Sequence, residues 1–399
     1  MGTTRRELLL STSALAGASL LQGGEAAAQQ SPNPLEAEVA AALNVWDFKK
    51  IAQQRLSADS WDFITGAAGD EITVRWNREA YDRIRLQPNA LVDVAGVDTR
   101  TRLFGQEIPF PILICPSGGH SRSHPDAELA TARGAGQAQA IMTVGTLSSK
   151  PIEELAQVAT QSLWFQLYMI RDRGLVREIV QRVEAAGCKA ICITVDTPVI
   201  GARNREQRAS RRRGRPSGPR TTPPHLIGYK RPQSVEGEIY SSTLDPTVTW
   251  REINWVRSFA RVPVLIKGVL NPADAQRAVQ EGLSGIIVSN HGGRNLDTLP
   301  ATIDALPRIA EQVEGRFPIL IDSGIRRGTD ILKAIALGAS AVMIGRPTLY
   351  GLASAGPEGV SRVIQILRRE FEMAMALTGK NSLSEIDRSV LWEQPFSRG

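Results

Sequence analysis

The sequence predicts a (β/α)8 barrel, a fold in which eight parallel strands each lead into a helix. Two observations support it: eight short apolar runs are typical of buried strands, and amphipathic helical patterns separate most of them. Near-continuous apolar strands that alternate with helices indicate a parallel sheet covered on both faces. A doubly wound open sheet is the alternative, but the Gly-x-Gly-x-x-Gly turn that usually follows its first strand is absent from the sequence.

The eight strand candidates follow one another along the chain. They are Pro111–Cys115, Ala140–Val144, Leu163–Leu167, Ala190–Val195, Val262–Ile266, Gly285–Val288, Pro318–Ile321 and Ala341–Ile344. The helical patterns are Asp126–Gln139, Ile152–Ala159, Gly174–Ala186, Asn271–Glu281, Thr302–Val313 and Gly328–Leu337. Polar residues or glycines follow each strand candidate, and the chemistry of this fold lies where its strands end.

The most informative stretch is Ser289–Asn295, which follows the sixth strand candidate directly. His291 can accept a proton near neutral pH. Arg294 can bind an anion through two parallel hydrogen bonds. A base beside an anion-binding group predicts proton abstraction from a small acid, whereas a loop histidine beside a surface arginine is the structural alternative.

The composition is that of a soluble globular protein with one large domain and terminal extensions, in 399 residues. Its three cysteines are too few for a disulfide framework, and their spacing matches no zinc motif. Only four histidines are present, which argues against a histidine-rich metal site.

The first 30 residues predict an export signal, because Arg5-Arg6 precedes a short apolar region and a run of small residues. The order resembles a twin-arginine signal, although Glu7 is unusual there and a general secretory signal or an uncleaved anchor is the alternative. We therefore expect an exported, periplasmic protein. Residues 31–43 are expected to be a linker, and residues 44–399 the barrel domain with an N-terminal helical extension.

Residues 203–231, after the fourth strand, hold ten basic residues and one acid, Glu206. This segment carries the whole positive excess of a chain whose net charge is +6. We expect a long mobile loop that could bind an anionic membrane surface or an acidic partner, or that is simply solvated. The segment lacks interleaved aromatic residues, so nucleic acid is not an expected partner.

Several strand-end motifs together resemble the FMN-dependent 2-hydroxy-acid oxidase and dehydrogenase family, which includes glycolate oxidases, lactate oxidases and dehydrogenases, and mandelate dehydrogenases. The resemblance runs from about Val45 to Trp392. The motifs are Ile141-Met142-Thr143, Phe165-Gln166-Leu167-Tyr168, Thr194–Pro198, Ile266–Val269, Ser289–Arg294, Asp322–Gly328 and Ile344–Pro347.

The resemblance implies roles for the residues that match. His291 matches the active-site base, Asp196 the carboxylate that pairs with it, and Tyr168 a tyrosine near the substrate hydroxyl. Arg294 and Arg203 match the residues that hold the substrate carboxylate.

The resemblance also implies a set of residues around FMN. Lys267 matches the lysine at the N1 and O2 edge of the flavin. The other matching positions are Pro116, Ser117, Gly118, Gln166, Thr194, Ser289, Asp322, Ser323, Gly324, Arg326, Gly345 and Arg346. Of these, Ser323, Gly324, Arg326, Gly345 and Arg346 match the phosphate-binding turns after the last two strands.

The chain departs from the family at four positions. Phe63 stands where the family has a tyrosine that contacts the substrate carboxylate, and Leu147 stands where glycolate oxidases have a tryptophan. Asn295 replaces the usual glutamine, and Ser323 replaces a glycine and is expected to add a hydroxyl donor. The changes at Phe63 and Leu147 predict a substrate larger than glycolate.

The implied activity is oxidation of a 2-hydroxy acid to the 2-oxo acid, with flavin N5 as the electron acceptor. Oxygen, a quinone or a cytochrome could then reoxidise the flavin, and family members are commonly tetramers. An oxidoreductase for a non-standard hydroxy or amino substrate, an FMN-dependent isomerase and a non-catalytic flavin-binding module are the alternatives.

Overall fold

The computed structural model describes residues 34–212, 222–229 and 239–392. Eight parallel strands close into a barrel, because the last strand pairs with both its predecessor and the first strand of the barrel. These strands are β3 (Ile112–Ile114), β4 (Met142–Gly145), β5 (Leu163–Leu167), β6 (Ile191–Thr194), β7 (Val264–Val269), β8 (Gly285–Val288), β9 (Ile319–Ile321) and β10 (Ala341–Ile344). All eight predicted strands are confirmed, and the closed sheet excludes the doubly wound alternative.

The strand register aligns polar side chains at one end of the barrel. Gly145 of β4 pairs with Gln166 of β5, and Thr194 of β6 pairs with Lys267 of β7. Because parallel strands run in the same direction, these residues form one layer next to the loops that follow the strands.

Helices surround the barrel, and the six helical patterns in the sequence are confirmed to within one or two residues. The helices of the barrel region are α5 (His120–Ser123), α6 (Ala127–Ala138), α7 (Ile152–Val158), α8 (Arg173–Ala185), α9 (Asn204–Arg212), α10 (Trp250–Arg257), α11 (Pro272–Gln280), α12 (Thr302–Val313), α13 (Gly328–Ala336) and α14 (Arg346–Leu377). The long α14 is kinked at Ala355 and Gly356, just before Pro357.

The N-terminal extension consists of α1 (Pro34–Ala41), α2 (Val45–Arg55), α3 (Ala58–Thr65) and α4 (Ile72–Arg83). Residues 31–43 were expected to be a linker, but α1 makes residues 34–41 helical, and this helix contacts α14. Asn44 then begins α2 by accepting a hydrogen bond from the backbone nitrogen of Trp46 at 2.8 Å.

A short hairpin, β1 (Thr101–Leu103) and β2 (Gln106–Ile108), covers the end of the barrel interior. Its two-residue turn has positive φ at both Phe104 and Gly105. The Phe104 ring lies 5.5 Å from the ring of Trp164, a fully buried residue of β5. The hairpin and Trp164 therefore fill the interior, as packed barrels require.

The basic segment 203–231 is not a mobile loop over its whole length, because α9 occupies its first part. Arg205 of α9 forms an ion pair with Glu71 at 2.6 Å, which fixes this helix against the N-terminal extension. Residues 213–221 and 230–231 of the segment lie outside the described residues, so docking to a membrane stays a prediction. In the described part of the chain, no helix combines the length and the hydropathy needed to cross a membrane.

Candidate active site

The loops after β6 and β8 bring Asp196 and His291 together. His291 Nδ1 lies 2.8 Å from Asp196 Oδ1, and both side chains are largely buried. His291 lies in a short 3-10 turn with φ 56°, a left-handed conformation that is uncommon for residues other than glycine. A carboxylate at Nδ1 fixes the histidine tautomer and makes Nε2 the basic nitrogen. Within the described ranges, Nε2 has no hydrogen bond.

A small polar network holds Asp196 in place. Asn295 Nδ2 donates to the backbone oxygen of Asp196 at 2.9 Å and to Thr197 Oγ1 at 2.6 Å. Thr197 Oγ1 in turn donates to Asp196 Oδ1 at 2.9 Å. Burial by itself raises the pKa of Asp196, but the charge and the hydrogen bond of His291 outweigh it and lower that pKa. The carboxylate is therefore ionised and directed at the histidine.

Arg203 and Arg294 converge beside this pair, and Glu206 lies between them. Arg203 Nε donates to the backbone oxygen of Arg294 at 3.0 Å. Glu206 Oε1 lies 2.7 Å from a terminal nitrogen of Arg294, and its Oε2 lies 4.0 Å from Arg203. Two guanidinium groups and one carboxylate leave a single net positive charge at this point.

Phe63 supports Arg294 in two ways. Its backbone oxygen accepts a hydrogen bond from Arg294 at 2.8 Å, and its ring centre lies 5.2 Å from the guanidinium. Burial, and then the charge of Arg203, lower the pKa of Arg294 to about 9. Arg294 therefore remains charged at neutral pH.

Tyr168 and Leu147 lie on the loops after β5 and β4. The backbone nitrogen of Tyr168 donates to Thr146 Oγ1 at 2.9 Å. Burial, and then the charge of Asp196, raise the pKa of Tyr168. The phenol therefore keeps its proton and can donate a hydrogen bond. Leu147 is 41% exposed and directly follows Thr146, the residue that accepts the hydrogen bond from Tyr168.

A buried network joins the ends of β7, β8 and β9. Lys267 Nζ lies 2.7 Å from Ser289 Oγ and 2.9 Å from Asp322 Oδ2. Burial by itself lowers the pKa of Lys267, but the Asp322 carboxylate outweighs burial and raises it. Nearby, Gln166 Nε2 donates to Thr194 Oγ1 at 2.8 Å. The predicted residues of these five strands are thus close together at the same end of the barrel.

The loop after β3 approaches the end of β10. Ser117 Oγ donates to the backbone oxygen of Cys115 at 3.2 Å, and a Cβ added to Gly345 would lie 3.3 Å from that hydroxyl. At Gly118, two residues after Pro116, an added Cβ would lie 3.6 Å from the Phe63 ring. The segment therefore lies between the barrel and the N-terminal extension.

The hydroxyl group of Ser323 is already engaged. Ser323 Oγ donates to Asp322 Oδ1 at 2.7 Å and accepts a hydrogen bond from the backbone nitrogen of Gly292 at 3.2 Å. Its single proton is therefore directed at Asp322, although the sequence suggested an additional donor for a phosphate. Its φ of 75° lies in the left-handed region, which favours the glycine that the family resemblance gives for this position.

A cavity of about 320 Å³ adjoins the last two strands. Gly324, Arg326, Arg346 and Tyr350 line it from the barrel side, and α2 and α3 line it from the other side. Arg326 Nε is buried without a partner among the described residues. Three of the five predicted phosphate-binding residues, Gly324, Arg326 and Arg346, therefore surround one space.

Sequence reasoning missed three groups of the site. Glu206 is the single acid of a basic segment, and this is the only feature of the sequence that could have indicated an ion pair there. Asn295 stands out in the sequence only as a replacement for the usual glutamine, yet its side chain donates to Asp196. Lys49 of α2 lines the cavity, and no pattern in the sequence marks it.

Comparison with known proteins identifies relatives over most of the chain. Residues 52–393 match the sequence profile of the family described as FMN-dependent dehydrogenase. An L-lactate oxidase of Nostoc sp. is 43% identical, over 88% of this chain and 99% of that protein. Glycolate oxidase 3 of Arabidopsis thaliana is 42% identical, over 88% of this chain and 97% of that protein.

Solved structures show the same similarity. A mandelate oxidase crystallised with (S)-2-phenylpropionate is 37% identical with a TM-score of 0.77, over 88% of this chain and 98% of that chain. A flavocytochrome b2 variant with pyruvate bound is 34% identical with a TM-score of 0.82, over 90% of this chain and 89% of that chain.

Proposed function

Since this chain belongs to the FMN-dependent dehydrogenase family and is therefore an oxidoreductase with FMN as its cofactor, we propose that it oxidises a 2-hydroxy acid to the 2-oxo acid. The observation that carries the proposal is the His291–Asp196 pair beside Arg203 and Arg294. It joins a proton acceptor to a group that binds a carboxylate.

The residues present fit FMN. The ion pairs of the described residues include no carboxylate partner for Arg326 or Arg346. Arg346 donates only to backbone oxygens, those of Ile64, Gly292 and Gly66, and Arg326 Nε is buried without a hydrogen bond. Buried donors and unneutralised cations are groups that a phosphate would satisfy. At Gly324 an added Cβ would lie 2.0 Å from the backbone oxygen of Asn77, so a side chain has no room in this turn.

The proposed cofactor site combines two regions. Gly324, Arg326 and Arg346, with Ser323 and Gly345 beside them, would hold the phosphate. Gln166, Thr194 and Lys267, with Ser289, Asp322 and the Pro116–Gly118 segment, would surround the ring. When bound, FMN supplies the acceptor for the two electrons of the reaction.

The side chains of the protein perform the remaining steps of the proposed mechanism. Arg203 and Arg294 bind and orient the carboxylate of the substrate. His291 Nε2 accepts the proton that leaves the substrate, and the ionised Asp196 stabilises the imidazolium that forms. Tyr168 donates a hydrogen bond near the substrate hydroxyl, while Lys267 keeps a positive charge beside the ring site.

The proposed substrate is larger than glycolate, and an aromatic 2-hydroxy acid is the leading candidate. Leu147 offers an apolar, partly exposed surface at the mouth of the site. Phe63 has no hydroxyl with which to hold a small acid. The mandelate oxidase structures, with their aromatic ligands, support this choice.

The test is anaerobic reduction of the flavin by mandelate, lactate and glycolate, measured as bleaching of flavin absorbance. We expect mandelate to bleach the flavin fastest. The matched variant is His291→Asn, because asparagine tolerates the left-handed backbone of this position. It should retain FMN and slow the bleaching by about 100- to 10,000-fold.

Two results would contradict the proposal. Undiminished bleaching in the His291→Asn protein would refute the base assignment, and faster bleaching by glycolate than by mandelate would refute the substrate class. After bleaching, separate additions of oxygen, a quinone and a cytochrome identify the acceptor by the rate at which absorbance returns.

A further inference from the structure

We propose that Lys49, beside Trp46 on α2, is a third cationic ligand of the FMN phosphate and closes the phosphate cavity from the N-terminal extension. The proposal rests on the proposed cofactor site, and it adds a residue from outside the barrel to that site.

The charges around the cavity favour this assignment. Arg205 and Glu71 both line the cavity, but they neutralise each other at 2.6 Å. Arg78 also lines it and is paired with Asp330. Lys49, Arg326 and Arg346 line the same space, and none of them has a carboxylate partner among the ion pairs of the described residues. Three unneutralised cations around one space match a phosphate monoester, which carries close to two negative charges at neutral pH.

The geometry of α2 directs Lys49 to this cavity. Trp46 and Lys49 are three positions apart on a helix and therefore share one face. Lys49 Nζ lies 5.4 Å from the centre of the Trp46 ring, and the Arg326 guanidinium lies 5.9 Å from that ring. Trp46 thus contacts both cations and fixes their positions relative to each other.

The electrostatic state of Lys49 agrees with a site prepared for an anion. Burial, followed by the charges of Arg326, Arg346 and Arg205, lowers the pKa of Lys49. Cations that approach one another without counter-charge repel, and a bound phosphate would relieve that repulsion.

The packing of α2 makes the contact structurally useful. This helix packs against α14, which begins at the cavity with Arg346. A phosphate held by Lys49 and Arg346 together would therefore connect the N-terminal extension to the barrel.

The test compares Lys49→Met with Lys50→Met in the full chain stripped of flavin. Lys50 is the adjacent residue of α2 and is exposed, so its replacement removes the same charge without touching the cavity.

Binding of FMN and of riboflavin, which lacks the phosphate, is measured by quenching of flavin fluorescence. We expect Lys49→Met to raise the Kd of FMN about 10- to 100-fold, with the Kd of riboflavin unchanged. Lys50→Met should change neither Kd, and Lys49→Arg should restore FMN binding.

Two outcomes with the variants, and one with the wild-type protein, would overturn the proposal. One is an equal Kd for FMN in the Lys49→Met and Lys50→Met proteins. The other is an equal loss of FMN and riboflavin binding in Lys49→Met, which would indicate a structural role. Wild-type protein that binds both flavins equally would refute the phosphate cavity itself. The Kd measurement does not depend on catalysis. A protein that failed to oxidise 2-hydroxy acids would therefore still test the role of Lys49.

Discussion

At the scale of single residues, Glu206 decides the charge of the substrate-binding group. It pairs with Arg294 at 2.7 Å and approaches Arg203 at 4.0 Å. With Glu206 ionised, the cluster carries one net positive charge, which one substrate carboxylate neutralises. A second carboxylate on the substrate would face the negative charge of Glu206 instead.

Replacing Glu206 with Gln should therefore improve oxidation of a dicarboxylic 2-hydroxy acid relative to a monocarboxylic one. We expect the ratio of kcat/KM for malate to that for lactate to rise about tenfold, a change of about 1.4 kcal/mol in relative transition-state binding. Steady-state kinetics with the two acids measures this ratio.

The matched control is Glu206→Asp, which keeps the charge and should keep the ratio of the wild-type protein. If Glu206→Gln lowered kcat/KM equally for both acids, Glu206 would only position Arg294, and the charge argument would be wrong.

At the scale of secondary-structure elements, the 3-10 turn Pro224–Leu226 packs His225 against β5. His225 is 1% exposed, and its ring lies 5.2 Å from that of Phe165 in an edge-to-face arrangement. Its Nε2 has no hydrogen-bond partner in the described part of the chain. Burial, and then the charge of Arg182, lower the pKa of His225 to about 4.

This contact predicts a pH-dependent stability. Between the ordinary histidine pKa of about 6.5 and the folded value of about 4, the unfolded chain binds the proton and the folded chain does not. The free energy of unfolding is therefore unaffected by His225 above the ordinary histidine pKa, and it falls as the pH drops through this window. The loss attributable to His225 is about 3 kcal/mol by the lower end of the window.

The variant His225→Phe keeps a ring against Phe165 but cannot bind a proton. As the pH falls from 6.5 to 4.5, we expect the melting temperature of the wild-type protein to drop further than that of the His225→Phe variant. Thermal unfolding in matched buffers measures both temperatures. Parallel melting curves for both proteins across this range would contradict the assignment to His225.

At the scale of the whole molecule, the N-terminal extension completes a site that the barrel begins. Phe63 of α3 supports Arg294, and Lys49 of α2 lines the phosphate cavity. The extension is therefore part of the candidate site as well as a cover for the barrel.

The predicted export signal also concerns the whole molecule, and residues 1–33 lie outside the described residues. We propose that the protein reaches the periplasm by the twin-arginine route after its cofactor has been inserted. Replacing Arg5 and Arg6 with Lys keeps the charge and should retain the precursor in the cytoplasm. Cell fractionation measures its location, and unchanged export of the variant would favour the general secretory route.

Much of the fold could be predicted because its signals are local. The strand around Ile286 and the helix Thr302–Val313 follow from apolar runs and helical periodicity, which neighbouring residues carry. The hairpin around Phe104, the helix α10 and the helical part of the basic segment could not be predicted in this way. The hairpin and α9 contain few apolar residues, and α10 is only eight residues long. Contacts with distant parts of the chain stabilise such short elements.

The barrel, the strand ends that carry the chemistry and the identity of the base and arginine candidates all follow from the amino-acid sequence. The folded molecule was needed to show that Glu206 lies between Arg203 and Arg294, that Asn295 holds Asp196, and that Lys49 lines the cavity of Arg326 and Arg346. The physical reason is that periodicity and motifs reflect neighbours along the chain. These ion pairs and cavities depend on how close side chains from separate loops and helices come once the barrel has closed.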